Sequence, residues 1–318
     1  MTKPTDDSSS PPNVKLHSPD AAATESIAHL QRVLRLPVMY PRLQRLCRPQ
    51  SESFWVLGGR PGAFKTALLW NLALNMAERK HRVLFVSLEM TPGEMALLGL
   101  ARFTGIPRER IEDHFAREAS RRFNDEEKSL WDNGVLTFQA LELRMRIHGA
   151  AEHGRSIDDV IRSACRSRFD AVFIDHLGMI GRDSNGRELD VLNDAIHRLR
   201  GLSRGEEAKD YRPWVCATSQ LNREIDKGEE ARIPRLSDFR GSARIEHDAD
   251  VAIGLQKRAR PTGIEDPVSF LDGFVLKNRH GPCPEVLLFE ANGATCLVTE
   301  RRPESKSQPT HWQEGDDA

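Results

Sequence analysis

The chain carries Lys65-Thr66 at the end of Gly59-Arg60-Pro61-Gly62-Ala63-Phe64, directly before a helix-length apolar pattern. An ammonium group neutralises terminal phosphates and a hydroxyl holds magnesium. The N–H groups of a glycine-rich turn, with the positive end of the next helix, cradle phosphate oxygens. Gly59 to Thr66 therefore form a candidate nucleotide loop, with ATP and Mg2+ as the expected ligands. The phosphate-loop pattern G-x-x-x-x-G-K-[ST], started at Gly59, asks for glycine at position 64, where this chain has phenylalanine. A bulky residue there holds ordinary backbone angles or stores about 1–3 kcal/mol of strain. Phe64 adjoins the helix start, so ordinary helical angles are the expectation.

Two acids and an amide follow apolar runs in the same manner. Asp175 ends Ala171-Val172-Phe173-Ile174, and Glu89 follows Val83-Leu84-Phe85-Val86 after two residues. A carboxylate at the C-terminal edge of a parallel strand lies where open α/β sheets bind ligands. Asp175 can orient Mg2+ beside Thr66, partly through water, and it can equally be a turn or helix-cap acid. Glu89 can position or deprotonate the attacking water, or serve as the N-terminal charge of the helix that starts at Thr91. Gln220, after the run Trp214–Thr218, can touch the terminal phosphate and report its loss.

The elements that must position these groups are legible as alternating short apolar runs and helical periodicities, the pattern of a mainly parallel sheet covered by helices. The expected strands are Phe54–Leu57, Val83–Ser87, Ala171–Ile174, Trp214–Thr218, Val251–Leu255, Phe274–Leu276 and Val286–Phe289. Thr66–Lys80 has one apolar face, Thr91-Pro92-Gly93-Glu94 reads as a capping box, and Ser156 with Asp159 can cap a further helix. Residues 113–135, charged and weakly periodic, predict a surface helical excursion. Residues 1–24 and 301–318 are polar and rich in Pro, Ser and charge, and are expected to be disordered. Residues 25–53 form a lead-in with an amphipathic stretch that docks on a neighbouring subunit or caps its own domain, and 54–300 form the ATPase domain.

Composition limits the alternatives. Of 318 residues 39% are apolar, enough for a buried core, and the formal net charge of −1 argues against a generally basic nucleic-acid binder but not against a basic channel. No apolar run reaches membrane-spanning length and the N-terminus lacks the order of a secretory signal, so a cytoplasmic protein with no membrane partner is expected. The five cysteines show neither CxxC pairs nor zinc spacing and read as reduced thiols.

Seven blocks in order, Arg60-Pro61-Gly62, Ser87-Leu88-Glu89-Met90, Ile174-Asp175-His176-Leu177, Ser219-Gln220-Leu221-Asn222-Arg223, Ser237-Asp238-Phe239-Arg240, Ile245-Glu246-His247-Asp248-Ala249-Asp250 and Lys277-Asn278-Arg279-His280-Gly281-Pro282, resemble the motor domain of DnaB-type replicative helicases. The resemblance covers roughly residues 54–290. It implies a RecA-like P-loop ATPase fold, a hexameric homo-oligomer with ATP between subunits, and single-stranded DNA in the central channel. By the same resemblance Arg279, with Lys277 beside it, is the finger that reaches the neighbouring subunit's phosphates; from the residues alone the pair reads as a solvated hairpin. Arg240, Gly241, Ala243 and Arg244 lie in the segment that grips the DNA backbone, although Gly241 stands where the family usually has Glu and Ala243 where it has Gly. Glu246, Asp248 and Asp250 are expected to support that loop.

The family's N-terminal helical domain has no counterpart in residues 1–53, which suggests a phage, plasmid or other mobile-element context and a loader or other replication protein as partner. The rival reading is an ATP-gated DNA-binding assembly or recruitment factor without unwinding activity. A recombinase or clock-like ATPase fits the Ser219–Arg223 and Lys277–Pro282 blocks less well.

Overall fold

Strands buried on both faces can be apolar at every position, and the apolar runs of this chain form strands of that kind at the centre of one sheet. The computed structural model describes residues 19–116, 122–181, 187–222, 232–258 and 267–302. Its strands are β1 (Phe54–Gly59), β2 (Val83–Ser87), β3 (Met145–Gly149), β4 (Ala171–Asp175), β5 (Trp214–Gln220), β6 (Val251–Lys257), β7 (Val268–Asn278), β8 (Glu285–Asn292) and β9 (Leu297–Glu300). They form a single sheet in the order β3-β2-β4-β5-β1-β6-β7-β8-β9. The pairings from β3 to β6 are parallel and those from β6 to β9 antiparallel. The structure is thus the α/β, mainly parallel sheet expected, with all seven expected strands present and β3 and β9 in addition.

The helices are α1 (Pro19–Arg32), α2 (Pro41–Cys47), α3 (Lys65–Glu78), α4 (Pro92–Thr104), α5 (Arg108–Phe115), α6 (Asp125–Gln139), α7 (Ala150–His153), α8 (Ile157–Ser167), α9 (Glu188–Arg204) and α10 (Ser242–Asp248). One face of the sheet packs in a core with residues of α2 and α3, including Leu43, Leu68 and Trp70. The other face packs with α8, α9 and α10 through Val160, Leu199 and Ile245. Both predicted capping boxes form, with Thr91 and Ser156 each accepting from the backbone N–H three residues on. The excursion expected over 113–135 is two helices, α5 and α6. Asn124 and Glu127 cap α6, and Ile111, Phe123 and Trp131 gather there with Ala101 of α4 in a small separate core.

The chain divides into two units at Leu34/Arg35. In the first, α1 begins at Pro19, inside the stretch whose composition predicts disorder. Proline at a helix start and an alanine-rich sequence are the local reasons for helix there. Of the expected tails, residues 1–18 and 303–318 lie outside the described residues. In the second unit residues 35–53, the later part of the lead-in, pack on their own domain. Leu36, Tyr40 and Leu43 are buried, the Tyr40 hydroxyl donates to Val298 O at 3.1 Å, and the N–H groups of Arg42 and Leu43 donate to the Glu300 carboxylate at 2.7 and 2.9 Å. A carboxylate at this helix start supplies the cap that Tyr40 does not.

One acid at the N-terminal end of the parallel strands, directly before β6, organises several elements. Asp250, fully buried, accepts from the Phe54 N–H at 2.9 Å and pairs with Arg200 at 2.9 Å, Arg204 at 3.0 Å and Arg279 at 3.3 Å. Removing one partner of a buried charge cluster leaves the rest uncompensated, and the half-exposed arginines soften that penalty. Asp250→Ala is therefore expected to lower stability by about 3 kcal/mol, seen as a lower urea midpoint with an unchanged slope.

Candidate nucleotide-binding site

Parallel pairing in register delivers the ends of neighbouring strands to one edge. Gly59 of β1 lies beside Gln220 of β5 and Leu255 of β6, and Ser87 of β2 lies beside Asp175 of β4. The segment after Ser87 continues along that edge, with the Leu88 N–H donating to Asp175 O at 2.8 Å. The glycine-rich loop, Glu89, Asp175 and Gln220 therefore come from consecutive strands, each about 4.8 Å from the next. These are the residues the sequence singles out for phosphate, metal, water and sensing, and the fold brings them together.

Within the loop, Gly59 closes β1, the Ala63 N–H turns back to Arg60 O at 3.1 Å, and Gly62 holds φ 78°, a left-handed angle that glycine adopts without strain. Arg60 donates to Leu221 O at 3.3 Å, and Pro61 and Gly62 are exposed. Lys65 donates to Arg60 O at 3.0 Å. Burial pushes the Lys65 pKa down, an effect that the nearby Asp175 and Glu89 carboxylates oppose. An ammonium group already stripped of part of its hydration is well placed for phosphate oxygens.

Phe64 departs from expectation. It caps α3 with φ 54° and ψ 28°, in the left-handed region, and not with helical angles. The turn fixes this conformation whatever the residue, because Phe64 N follows the Gly62-Ala63 turn while Phe64 O already accepts the Leu68 N–H at 2.9 Å. Its ring is partly buried against the α3 face of the core, beside Gly293 and with the Lys257 ammonium 5.8 Å from its centroid. Packing offsets the strain.

Thr66 Oγ1 donates to Asp175 Oδ2 at 2.7 Å, and Thr218 Oγ1 donates to Asp175 Oδ1 at 2.6 Å. With its proton committed to Asp175, the Thr66 hydroxyl has its lone pairs free for a cation. No group of three or more His, Cys, Asp or Glu residues able to hold a metal occurs among the described residues. The donor set therefore fits Mg2+, which commonly takes one or two protein ligands and completes its shell with phosphate and water. It does not fit a cage for a resident metal.

Glu89 is 59% exposed, and its carboxylate lies 3.7 Å from His176 Nε2. Gln220 is exposed and its amide lies 3.4 Å from the same nitrogen. His176 ends up between the two, although the sequence gives it no role beyond its place after Asp175. Thr218 was likewise legible only as part of a strand.

Lys277 and Arg279 are not brought to this edge. Lys277 pairs with Ala252, near the start of β6, and Asn278 with Val251. Leu255, which flanks the glycine loop, is four residues further along, roughly 13 Å at strand rise. Nor do the two cations form a solvated hairpin. Lys277 donates to Glu246 O, and Arg279 donates to His247 O at 2.8 Å, both at the C-terminal end of α10. Burial and the neighbouring Arg279 push the Lys277 pKa down.

The segment expected to grip DNA runs into α10. The Arg240 N–H donates to Gln220 O at 3.1 Å, and its guanidinium pairs with Glu188 at 2.5 Å. Arg244 pairs with Asp248 at 2.5 Å, and Ala243 is exposed on the first turn. Gly241 holds φ 76°, and a Cβ there would come within 3.2 Å of Leu192 and 3.3 Å of Ile196, so glycine suits this position where the family usually has Glu. Arg223 lies outside the described residues.

Residues 36–295 match the family model described as DnaB-like helicase C terminal domain. The chain is 28% identical over 232 residues to a probable plasmid replicative DNA helicase of Chlamydia trachomatis serovar L2, covering 72% of this chain and 47% of that protein. It is 28% identical over 319 residues to the replicative DNA helicase DnaB of Mycoplasma genitalium, covering 93% of this chain and 64% of that one. The chain thus spans about half to two thirds of the length of these relatives. Among solved structures, one described as an ATPase domain superposes with a TM-score of 0.72 at 20% identity, over 91% of this chain and 100% of that one. A DnaB-like replicative helicase whose interactions with primase were described superposes with a TM-score of 0.69 at 19% identity, covering 88% and 68%. These likenesses agree with the fold.

Two substitutions isolate the strain at Phe64. Ala and Gly both remove the ring, but only Gly is unstrained at φ 54°. Phe64→Gly is expected to be more stable than Phe64→Ala by about 1 kcal/mol in urea unfolding, the reverse of their order inside a helix.

Proposed function

We propose, because the chain belongs to the DnaB-like helicase C-terminal domain family, that it is an ATP-hydrolysing motor which assembles as a ring, a hexamer, and moves along single-stranded DNA. The observation that carries the reading is topological. The glycine loop, Thr66, Asp175, Glu89 and Gln220 share one edge of the sheet, while Lys277 and Arg279 stand at the other end of the neighbouring strands. A finger arginine so placed cannot serve its own phosphate loop, and a ring in which each subunit completes the next site uses both edges.

In this reading Lys65 and the loop N–H groups from Gly59 to Thr66 hold the β- and γ-phosphates. The Thr66 hydroxyl and, through water, Asp175 would hold Mg2+, which when bound neutralises charge developing on the phosphate oxygens. Glu89 orients the attacking water and takes up its proton, an accessible position that suits exchange with solvent. Gln220 contacts the terminal phosphate. Arg279 of one subunit stabilises transition-state charge at the next, releasing Asp250, which retains Arg200 and Arg204. Arg240 and Arg244, near the exposed Ala243 and the Gly241 turn, hold DNA phosphates without reading sequence. A loader or another replication protein completes the partners. No described helix is long and apolar enough to cross a membrane, in keeping with a cytoplasmic site of action.

Mixing tests the shared site directly. Lys65→Ala and Arg279→Ala are each expected to reduce DNA-stimulated ATP hydrolysis by roughly 10³-fold or more, and an equimolar mixture to regain activity, since some interfaces then pair an intact loop with an intact finger. A mixture as inactive as its components, from chains that remain monomeric with ATP and DNA, would refute the ring. Arg240→Ala is expected to weaken binding to all single-stranded sequences alike and to reduce the slope of log affinity against log salt by about 0.7, measured by fluorescence anisotropy.

A further inference from the structure

His176 is buried at the edge of the candidate site, directly after Asp175, and its ring is fixed at one nitrogen. The Gly178 N–H donates to Nδ1 at 3.1 Å, closing the short turn Leu177–Met179 against the ring. A nitrogen that accepts an N–H keeps its lone pair, so the ring is neutral and carries its proton on Nε2. That proton points at the Glu89 carboxylate at 3.7 Å and at the Gln220 side-chain amide, whose Nε2 lies at 3.4 Å and which accepts only when turned to bring its oxygen there. A single N–H can serve one of them at a time. It donates to the carboxylate or, with the amide turned to present its oxygen, to Gln220.

We propose that His176 is a positioning residue, which through this one donor ties the water-holding carboxylate of Glu89 to the phosphate-sensing amide of Gln220. The inference rests on the motor reading above and adds a part to it. When the Gln220 NH2 group donates to a terminal phosphate, its oxygen is left facing the histidine. The Nε2 proton then goes to that oxygen, and Glu89 is released to accept from water. When the phosphate has gone the amide swings free, and the Nε2–H, still on the ring, again donates to the Glu89 carboxylate and holds it off the empty position. The bond exchange moves no proton between residues, and so needs no titration within the site. It makes carboxylate placement depend on whether the sensor is engaged.

The two amide side chains mimic the two ring nitrogens separately. Asn places an acceptor near Nδ1 and keeps the contact with the Gly178 N–H, but does not reach Glu89 or Gln220. Gln places an N–H donor near Nε2. His176→Asn is expected to lower kcat for DNA-stimulated ATP hydrolysis about 10- to 100-fold, the usual scale for loss of an outer-shell partner, with KM for ATP changed less than about twofold. His176→Gln is expected to recover most of the rate, and His176→Asn added to Gln220→Ala to cost nothing further. A merely structural histidine would instead show both variants melting early with KM raised. His176→Phe, a ring without the donor, replaces the Asn variant if that one melts early, with the same expected loss. Wild-type kcat in the donor-less variant, or a Gln variant no faster than it, overturns the proposal while the motor reading stands. A wild-type chain that hydrolyses no ATP with single-stranded DNA overturns both.

Discussion

A fully buried carboxylate has to be compensated on the spot, and Asp250 is compensated by the start of β1, two arginines of α9 and the arginine that follows β7. The constraint fixes more than its own surroundings. Phe54, whose N–H it receives, begins the strand that ends in the glycine loop, and the Arg279 N–H donates to Asp250 O at 2.8 Å. The loop and the arginine are thus attached to opposite ends of β1 and β7, two strands that are both hydrogen-bonded to β6 between them. Strands in a packed sheet do not slide by the roughly 13 Å that would bring the two together, because each two-residue step would break the whole ladder. Separation of the glycine loop from Arg279 is a property of the sheet, and in the proposed ring it makes the nucleotide site of one chain half of a site.

The same end of the molecule is linked back to the nucleotide edge by one short helix. Its lead-in residue Arg240 donates its N–H to Gln220 O, and its last turn accepts from Lys277 and Arg279. A displacement of the segment before α10 is therefore felt both at the end of β5 and at Arg279, since seven helical residues between them leave little slack. The two cations that flank Gly241 are already paired, Arg240 with Glu188 and Arg244 with Asp248. In the proposed DNA-binding role, taking up a phosphate exchanges one anion for another, which keeps the net gain per contact small. Small, salt-sensitive gains suit the proposed translocation, in which the surface lets go at each step.

How much of this was legible in the sequence depended on where each interaction partner lies. The central strands were legible because burial on both faces leaves an uninterrupted apolar run, and two helix starts were legible because a capping box is complete within four residues. β3 was not, since an edge strand with Arg146 exposed and His148 satisfied by Ser163 and Gly154 shows no apolar run. β9 has four residues and alternates in burial, too short to stand out. At the candidate site the residue types that carry charge were legible one by one, as was the edge to which the strands bring them. The pairing of Arg279 with Asp250 and the meeting of His176 with Glu89 and Gln220 were not, because strand order decides them.

Phe64 shows the limit most clearly. A pattern that asks for glycine is a statement about backbone angles, and the phenylalanine that replaces it adopts the same left-handed angles. The strain, on the order of 1–2 kcal/mol, is local and inherent in an L-residue with a side chain. What offsets it is remote in sequence: the end of β6 at Lys257, the β8–β9 turn at Gly293, and the core face that half-buries the ring. The substitution changes the side chain at the mouth of the loop and leaves in place the direction of the loop's N–H groups, on which phosphate binding depends. A departure from the pattern in residue type is, at this position, agreement with it in conformation.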